Sequence, residues 1–418
     1  MFNTIRNAWK IPDLRQKMMF TLAMLVIFRL GSFIPVPGMN TEALSQLIQS
    51  GGLLGFFDTI SGGAFENFAI FAMSITPYIN STIIMQLLTI AIPSLEALAK
   101  EGEEGRKKIA QYTRYGTVVL ALIQALALSY GLRGYLLKSD AASIILVALS
   151  LTAGTAFLMW LGEQINEKGI GNGISLLIFA GIISRLPGGI QKIIELYRVK
   201  TTNIIEIILF AVFAILIIMG VVLIQEGQRR IPVQYAKRVV GRKMYGGQST
   251  HIPLRVNQAG VIPVIFAMSL IAFPGQIAQF FPNSGAYRFF NTYLNWGSWA
   301  HGILYALLII GFTYFYTAVT FNPIEVSNNI KKYGGFIPGI RPGKPTSDFI
   351  AKSLNRITLV GAFFLAVIAI VPIFLMNFTG IKVYFGSTSL LIVVGVAMDF
   401  VKQIEAQMVM RNYQGFLK

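Results

Sequence analysis

Hydrophobic positions in this chain are gathered into long blocks that polar segments separate. Ten such blocks lie near residues 18–34, 68–92, 116–132, 141–162, 174–186, 204–224, 260–280, 302–321, 357–376 and 387–401. A helix needs about 20 predominantly apolar residues to cross the hydrocarbon core of a bilayer, so the fifth block is short for a span. The pattern predicts an all-α, polytopic membrane protein with ten transmembrane helices.

A further apolar segment precedes the second block and is too short to cross a membrane. Apolar Leu53, Leu54, Phe56 and Phe57 are followed by the interrupting residues Asp58, Ser61, Gly62 and Gly63. Irregular backbone at membrane depth is tolerated only where it lies against protein or lines a cavity. The segment 52–65 is therefore either a re-entrant helix that dips into a cavity or an amphipathic loop on the membrane surface. These residues alone leave both interpretations open.

The charges orient the predicted spans. The chain of 418 residues is 54% apolar and 13% charged, with a net charge of +17. With ten spans both termini lie on one side, and that side carries 26 of the 35 Lys and Arg residues, against 8 on the other. Because basic loops remain cytoplasmic, both termini are predicted in the cytoplasm. The basic excess also suits anionic lipid or an acidic partner.

The connector 187–203 divides the chain into two halves with five spans each. The N-terminal half is 1–186 and the C-terminal half is 204–418. Because each half has an odd number of spans, the two halves must be inverted relative to each other, as is common around a central pathway. The expectation is two inverted five-helix halves around a central pore.

Two cytoplasmic loops, 225–257 and 322–356, are longer than the usual connector in a compact protein. Their basic residues include Arg229, Arg230, Lys237, Arg238, Arg242, Lys243, Lys331, Lys332 and Arg341. The positive-inside rule explains the sign of this charge but not the length of the loops. We therefore expect a docking surface for ribosomal RNA phosphates or for the acidic face of a soluble motor.

The sequence lacks the usual residues of catalysis and cofactor binding. It has no Cys and only His251 and His301, which lie on opposite sides of the membrane, and no phosphate-binding glycine motif. We expect no enzyme activity, metal or cofactor. The ionisable residues within spans are Arg29, Arg185, Glu206 and Asp399, all near span ends, where snorkelling to the interface is the simplest interpretation. A secondary transporter of small solutes would need a polar site at mid-depth, and a purely structural scaffold would not explain the long loops.

Ile75 and Ile79 are four residues apart and flank Pro77. This spacing places them on one helix face around a kink. On the residues alone, ordinary packing is the simpler interpretation of such a pair.

Several longer motifs resemble one known family. They are FRLGSFIPVPG at 28–38, SGGA at 61–64, QYTRYG at 111–116, FLMWLGEQ at 157–164, GIGNGIS at 169–175, YAKR at 235–238, QSTH at 248–251 and FNP at 321–323. They extend over nearly the whole chain, which resembles the SecY family, the central subunit of the bacterial protein-conducting channel. The resemblance implies a channel that translocates unfolded secretory polypeptides across the bacterial plasma membrane and releases membrane-protein helices laterally into it. The SecA motor or a translating ribosome would drive it.

The resemblance also implies roles for individual residues. The segment 52–65 would be a plug that closes the channel from outside. Gln86 and Asn257 match polar positions at a lateral gate, which lies between spans two and three on one side and spans seven and eight on the other. Arg341 matches an arginine at the docking site for SecA and the ribosome. The implied pore ring consists of Ile75, Ile79, Ile178, Ile265 and Ile392. Implied partners are the membrane subunits SecE and SecG, signal sequences, nascent polypeptides and membrane lipid.

Overall fold

Helices make up most of the structure. The computed structural model describes residues 2–41, 44–45, 58, 61–138, 140–235, 238–240, 243–245, 249–279, 284–294, 298–379 and 387–415. In the first half the helices are α1 (Phe2–Trp9), α2 (Pro12–Gly31), α3 (Thr76–Ala91), α4 (Pro93–Lys100), α5 (Glu103–Gly131), α6 (Ala141–Lys168) and α7 (Gly173–Arg198). In the second half they are α8 (Ile204–Glu226), α9 (Ile262–Gln279), α10 (Gly285–Tyr293), α11 (Trp299–Thr320), α12 (Pro323–Lys332), α13 (Lys344–Thr379) and α14 (Ser387–Gly415).

Each of the ten predicted spans overlaps one of these helices. By length and hydropathy, five of the described helices could cross a membrane: α6, α7, α8, α13 and the helix that begins at Trp299. A sixth is obtained if α3 and α4, which are bent by 100° relative to each other, count as one span. The fold is thus that of a multi-pass membrane protein, and the number ten stays a prediction.

The second predicted span begins later than its hydrophobicity indicates. Residues 62–75 form turns, with positive φ at Phe68 and Ser74, and α3 begins only at Thr76. Pro77 lies in the first turn of α3, where its missing N–H is tolerated and where it disfavours helix in the residues before it. Pro77 therefore starts the helix and does not kink it. The backbone N–H of Ile79 still donates to the carbonyl of Ile75 at 3.0 Å, which keeps the two residues one turn apart.

The fifth predicted span is longer in the structure than its hydrophobicity indicates. Helix α7 continues through Pro187 to Arg198, so most of the predicted connector 187–203 is helical. The Asn172 side-chain oxygen accepts from the N–H of Ser175 at 3.2 Å and caps the helix at its start. Extended by these turns, α7 is long enough to cross a membrane.

Close helix contacts in the first half depend on small residues. In α6, a Cβ on Gly154 would lie 1.9 Å from the Ile70 carbonyl oxygen, and a Cβ on Gly162 would lie 2.7 Å from Ile174 of α7. Small residues permit such approach of backbones, which membrane helices need because lipid offers no hydrophobic drive for their association. Helix α6 thereby packs against α2, α5 and α7.

The helices of the second half also pack on one another, and several of them contact helices of the first half. Helix α11 packs on α9 and α13, and α14 packs on α8 and α13. Across the two halves, α9 contacts α3 and α5, and α14 contacts α7 and α1. The hydroxyl of Thr4 in α1 donates to the Glu405 carboxylate in α14 at 3.1 Å, so the first and last helices lie together.

The two long loops contain strands that the hydrophobic pattern did not predict. Strand β1 (Gln228–Tyr235) pairs antiparallel with β4 (Ser249–Arg255), and β2 (Arg238–Val240) pairs with β3 (Lys243–Tyr245). Strand β5 (Gly335–Phe336), from the second loop, pairs with β1. The two loops therefore form one three-stranded sheet, and its apolar core consists of Ile231, Val233, Leu254, Ile330, Ile337 and Ile350.

The contact at Gly154 gives a test of this packing. We expect Gly154→Ala to destabilise the protein by about 1–3 kcal/mol, since its methyl group must displace the Ile70 backbone. Gly311→Ala is the matched control, because Gly311 also lies in a long apolar helix but a Cβ there would have no neighbour within 4 Å. Thermal unfolding in detergent measures both. Equal melting temperatures for the two variants would contradict the packing described for α6.

Candidate functional site

The five isoleucines of the expected ring lie in one buried apolar cluster between the two halves. Helix α3 and its N-cap position contribute Ile79 and Ile75, α7 contributes Ile178, α9 contributes Ile265 and α14 contributes Ile392. Their relative exposures are 6%, 1%, 1%, 4% and 1% respectively. They belong to a larger cluster of buried apolar residues from both halves, so residues about 300 positions apart in sequence contribute to one core.

A cavity of about 170 Å³ adjoins this cluster. Ile79, Ile178 and Ile265 form part of its wall, and the rest is polar, aromatic and aliphatic: Tyr78, Thr82, Gln86, Asn166, Asn172, Ile174, Ser175, Ile262, Phe266 and Tyr316. A second cavity, of about 180 Å³, lies beside it and shares Asn172, Ser175 and Ile262 with it. Two cavities with some polar lining therefore lie next to the apolar cluster, at the N-terminal end of α7.

The expected gate residues do not bind each other. The Asn257 amide donates to the Gly260 carbonyl at 2.9 Å, but its side-chain oxygen is buried without a hydrogen-bond partner. The side-chain oxygen of Gln86 is buried without a partner as well. A hydrogen bond between the two amides would occupy one of these oxygens, so the direct bond that a polar gate suggests is not formed. Unpartnered buried amide oxygens are costly, by about 1–3 kcal/mol each.

The described part of the expected plug is its second half. Leu53, Leu54, Phe56 and Phe57 lie outside the described residues, whereas Gly62 and Gly63 are described, both with positive φ. A Cβ on Gly62 would lie 2.8 Å from Cα of Gly181 in α7, and one on Gly63 would lie 2.9 Å from the Arg185 guanidinium. Glycine is thus required at both positions by backbone conformation and by space.

Two arginines that the sequence suggested would snorkel instead bind this segment. Arg29 of α2 donates to the Gly62 carbonyl, and Arg185 of α7 forms ion pairs with Asp58 and, at 2.6 Å, with Glu66. Interpreting these arginines as snorkelling was wrong for both side chains. The available signal was the pair of acids at 58 and 66 on an external segment without Lys or Arg, which offered them partners.

The other ionisable residues near span ends have local roles. Glu206 forms a capping box with Asn203 at the start of α8, where its carboxylate accepts from the Asn203 N–H at 3.2 Å. Asp399 of α14 lines the second cavity. No group of three or more His, Asp or Glu residues that could hold a metal occurs within the described part of the chain.

Several of the expected docking residues are exposed on or around the sheet. Arg229 and Arg230 are exposed on β1, Lys331 and Lys332 are exposed at the end of α12, and Arg341 is exposed in the turn after β5. Two side-chain hydrogen bonds stabilise that turn. The Ser327 hydroxyl donates to the Gly343 carbonyl at 2.8 Å, and the Thr346 hydroxyl donates to the Arg341 carbonyl at 2.8 Å. Arg238 and Lys243 lie on β2 and β3, and Lys237 and Arg242 lie outside the described residues.

Comparison with known proteins gives a consistent result. A family model for SecY matches residues 69–401. The chain is 52% identical to the protein translocase subunit SecY of Halalkalibacterium halodurans, over 100% of both chains. It is 46% identical to that of Escherichia coli K12, over 98% of this chain and 95% of the other.

Solved structures show the same fold at lower identity. One described as a protein-conducting channel has a TM-score of 0.68 at 19% identity, covering 94% of this chain and 93% of the other. One concerning the plug domain of SecY, described as stabilising the closed channel, has a TM-score of 0.66 at 20% identity, covering 94% and 92%. Sec61 in a canine ribosome–channel complex has a TM-score of 0.63 at 17% identity, covering 94% and 93%.

The fold and the family match define a membrane channel for proteins, not an enzyme. The family match and the relatives at 52% and 46% identity also show which family the chain belongs to. The chain belongs to the SecY family of protein translocase subunits.

Proposed function

We propose that this chain passes unfolded secretory polypeptides through the cluster of Ile75, Ile79, Ile178, Ile265 and Ile392, across a bacterial plasma membrane, with both termini cytoplasmic. The supporting observation is that residues from α3, α7, α9 and α14, two helices of each half, meet in one buried cluster. The family match favours this channel over the alternative of a small-solute transporter.

Aliphatic side chains suit such a constriction. They fit around a translocating chain without directional bonds, so the chain slides without being held. When the path is empty, an apolar constriction excludes water and resists the passage of ions. The polar cavities beside the cluster would hydrate a polypeptide that arrives from the cytoplasm.

The segment 52–65 would be a plug that closes this path from the outside. Gly62 and Gly63 have backbone conformations that permit sharp turns, and they lie against α7 one to two turns beyond Ile178. The structural neighbour whose plug domain is described as stabilising the closed state supports this role.

Lateral release would occur where α3 and α5 of one half meet α9 and α11 of the other. A signal sequence that inserts there gains about 25 cal/mol per Å² of buried apolar surface. The buried unpartnered oxygens of Gln86 and Asn257 weaken the closed contact and so lower the gain that is needed. The gate would then open to moderately hydrophobic signals.

The sheet and its flanking turn would be the docking surface for the SecA motor and the ribosome. Five exposed basic side chains on the sheet and its flanking elements, Arg229, Arg230, Lys331, Lys332 and Arg341, suit an acidic protein face or RNA phosphates. The ribosome-bound canine neighbour supports the second. Helix α8, whose apolar residues are largely exposed, would face lipid or the small subunits SecE and SecG.

The path itself is tested by crosslinking. We expect a stalled secretory chain to crosslink to photoreactive amino acids at Ile79 and Ile265, because the chain must pass both. Ile205 on α8, which is 74% exposed on the outer surface, is the control position and should give no crosslink. Crosslinks to Ile205 as strong as those to Ile79 and Ile265 would refute the proposed path.

The gate is tested with signals of graded hydrophobicity. We expect Gln86→Leu to reduce export of weakly hydrophobic signals by about fivefold, with strong signals unaffected, because removing the unpartnered oxygen stabilises the closed contact by about 1 kcal/mol. Thr202→Val is the control, since Thr202 also has a buried side-chain oxygen without a hydrogen-bond partner but lies in the connector between α7 and α8, outside the proposed gate. An unchanged ratio of weak to strong signal export in Gln86→Leu would exclude this account.

Docking is tested by charge reversal. Arg341→Glu should abolish SecA-stimulated export, because it places a negative charge on the basic surface, while membrane insertion and melting temperature stay unchanged. Lys108→Glu, an exposed basic residue at the start of α5, is the control and should export normally. Normal SecA-stimulated export by Arg341→Glu would remove the docking assignment.

A further inference from the structure

The described end of the plug, Asp58 together with residues 61–66, is held by a set of polar contacts that its apolar residues did not suggest. We name this part the plug foot. Arg185 of α7 forms ion pairs with both acids of the plug foot, Asp58 and Glu66, the latter at 2.6 Å. Arg29 of α2 donates to the carbonyl of Gly62. Two spanning helices of the first half therefore hold one short segment.

We propose that Arg185 is a positioning residue that fixes the plug foot against α7 while the channel is at rest, and that release of its two ion pairs is a step of opening. This inference rests on the proposed function, because it assigns the plug foot a part in closing the path. The thiol-labelling measurement that tests it needs no transport.

The position of Arg185 on α7 connects the plug foot to the isoleucine cluster. Ile178, Gly181 and Arg185 follow each other at spacings of three and four residues, so they lie on one helix face within about 10 Å. The bare backbone of Gly181 contacts Gly62, since a Cβ on Gly62 would lie 2.8 Å from its Cα. The plug foot thus contacts α7 one turn beyond Ile178.

The plug foot is folded so that both acids face one guanidinium. The Gly63 N–H donates to the Asp58 carbonyl at 2.9 Å, and the Glu66 N–H donates to the Asp58 carboxylate at 2.7 Å. Gly63 lies directly under the guanidinium, where any side chain would collide with it. Both carboxylates accept from the same terminal nitrogen of Arg185, which has two N–H groups to share between them.

The contribution of the two acids differs. Burial raises the pKa of Asp58 to about 6, against the attraction of Arg185 and the hydrogen bond from the Glu66 N–H. The charge on Asp58 is therefore unfavourable in this position, whereas its oxygen is still needed as an acceptor. Removing Arg185 is the damaging change, because it takes the guanidinium away from two partly buried carboxylates at once. The Arg185 Nε is buried without a partner, so the contact is not fully satisfied and its release is easier.

The chain lacks cysteine, which permits a direct test of this contact. Ser184 of α7 lies against the plug foot, with its hydroxyl 3.4 Å from the Gly62 carbonyl oxygen. In the Ser184→Cys chain in vesicles without motor or ribosome, we measure the rate of labelling by a membrane-impermeant maleimide added from outside. Adding Arg185→Gln should raise this rate about tenfold, and adding Glu66→Gln should raise it as well, because the plug foot leaves α7 more often. Loss of the neighbouring positive charge would by itself slow the thiol reaction, so a faster rate reports exposure.

Further variants separate ion pairing from other effects. Asp58→Asn should raise the rate less than Glu66→Gln does, because burial already disfavours the Asp58 charge and the amide oxygen still accepts from the Glu66 N–H. Arg185→Lys should restore slow labelling in part. The double variant Arg185→Gln with Glu66→Gln should label no faster than Arg185→Gln alone, because both changes remove the same interaction. Arg114→Gln, which breaks the 2.7 Å ion pair between Arg114 and Glu163 on α5 and α6, is the matched control and should leave the rate unchanged.

Transport measurements complete the test. We expect Arg185→Gln to increase the ion leak of the resting channel several-fold and to permit export of weaker signals. Unchanged labelling in folded Arg185→Gln and Glu66→Gln chains would overturn the contact. Faster labelling with an unchanged ion leak would overturn its part in closing the path. A failure of the crosslinking at Ile79 and Ile265 would refute the proposed path without altering the labelling result.

Discussion

Apolar packing between the two halves is the interaction on which the rest of the structure depends. The halves meet through α3 and α9 and through α7 and α14, and the five buried isoleucines lie at this junction. Contacts between aliphatic side chains have no fixed direction, and each is individually weak. A junction of this kind excludes water while closed, and it reforms after separation without having to restore a particular set of bonds.

Polar groups around this junction act in opposite directions. In the proposed function, the two ion pairs of Arg185 would hold the plug foot and favour the closed arrangement, while the buried oxygens of Gln86 and Asn257, which have no partner, would disfavour it. Gly154 lets α6 lie close to the backbone at Ile70, and Gly162 lets it lie close to α7. Motion is therefore expected between the halves and at the plug foot, where unsatisfied groups lie, more than within a half.

The sequence predicted those features that depend on local composition. Long apolar blocks located the helices, and the motifs that resemble the SecY family indicated the isoleucine cluster. The start of α3 was misplaced because hydropathy is blind to the backbone restriction at Pro77. The partners of Arg185 could not be predicted from its own surroundings, since Asp58 and Glu66 lie 127 and 119 residues away. The same holds for the sheet, in which Gln234 pairs with Phe336 across four helices.

A short connection joins the sheet to the proposed gate. Strand β4 ends at Arg255, Asn257 follows two residues later, and α9 begins at Ile262. Asn257 bridges this connection by donating to Gly260, and the Val256 carbonyl lies so close to Gly361 of α13 that a Cβ there would be 2.4 Å away. Such a connection has little freedom to absorb displacement. A partner that shifts the basic sheet would therefore shift α9 or α13 as well, so the proposed docking would be linked mechanically to the contact between the halves.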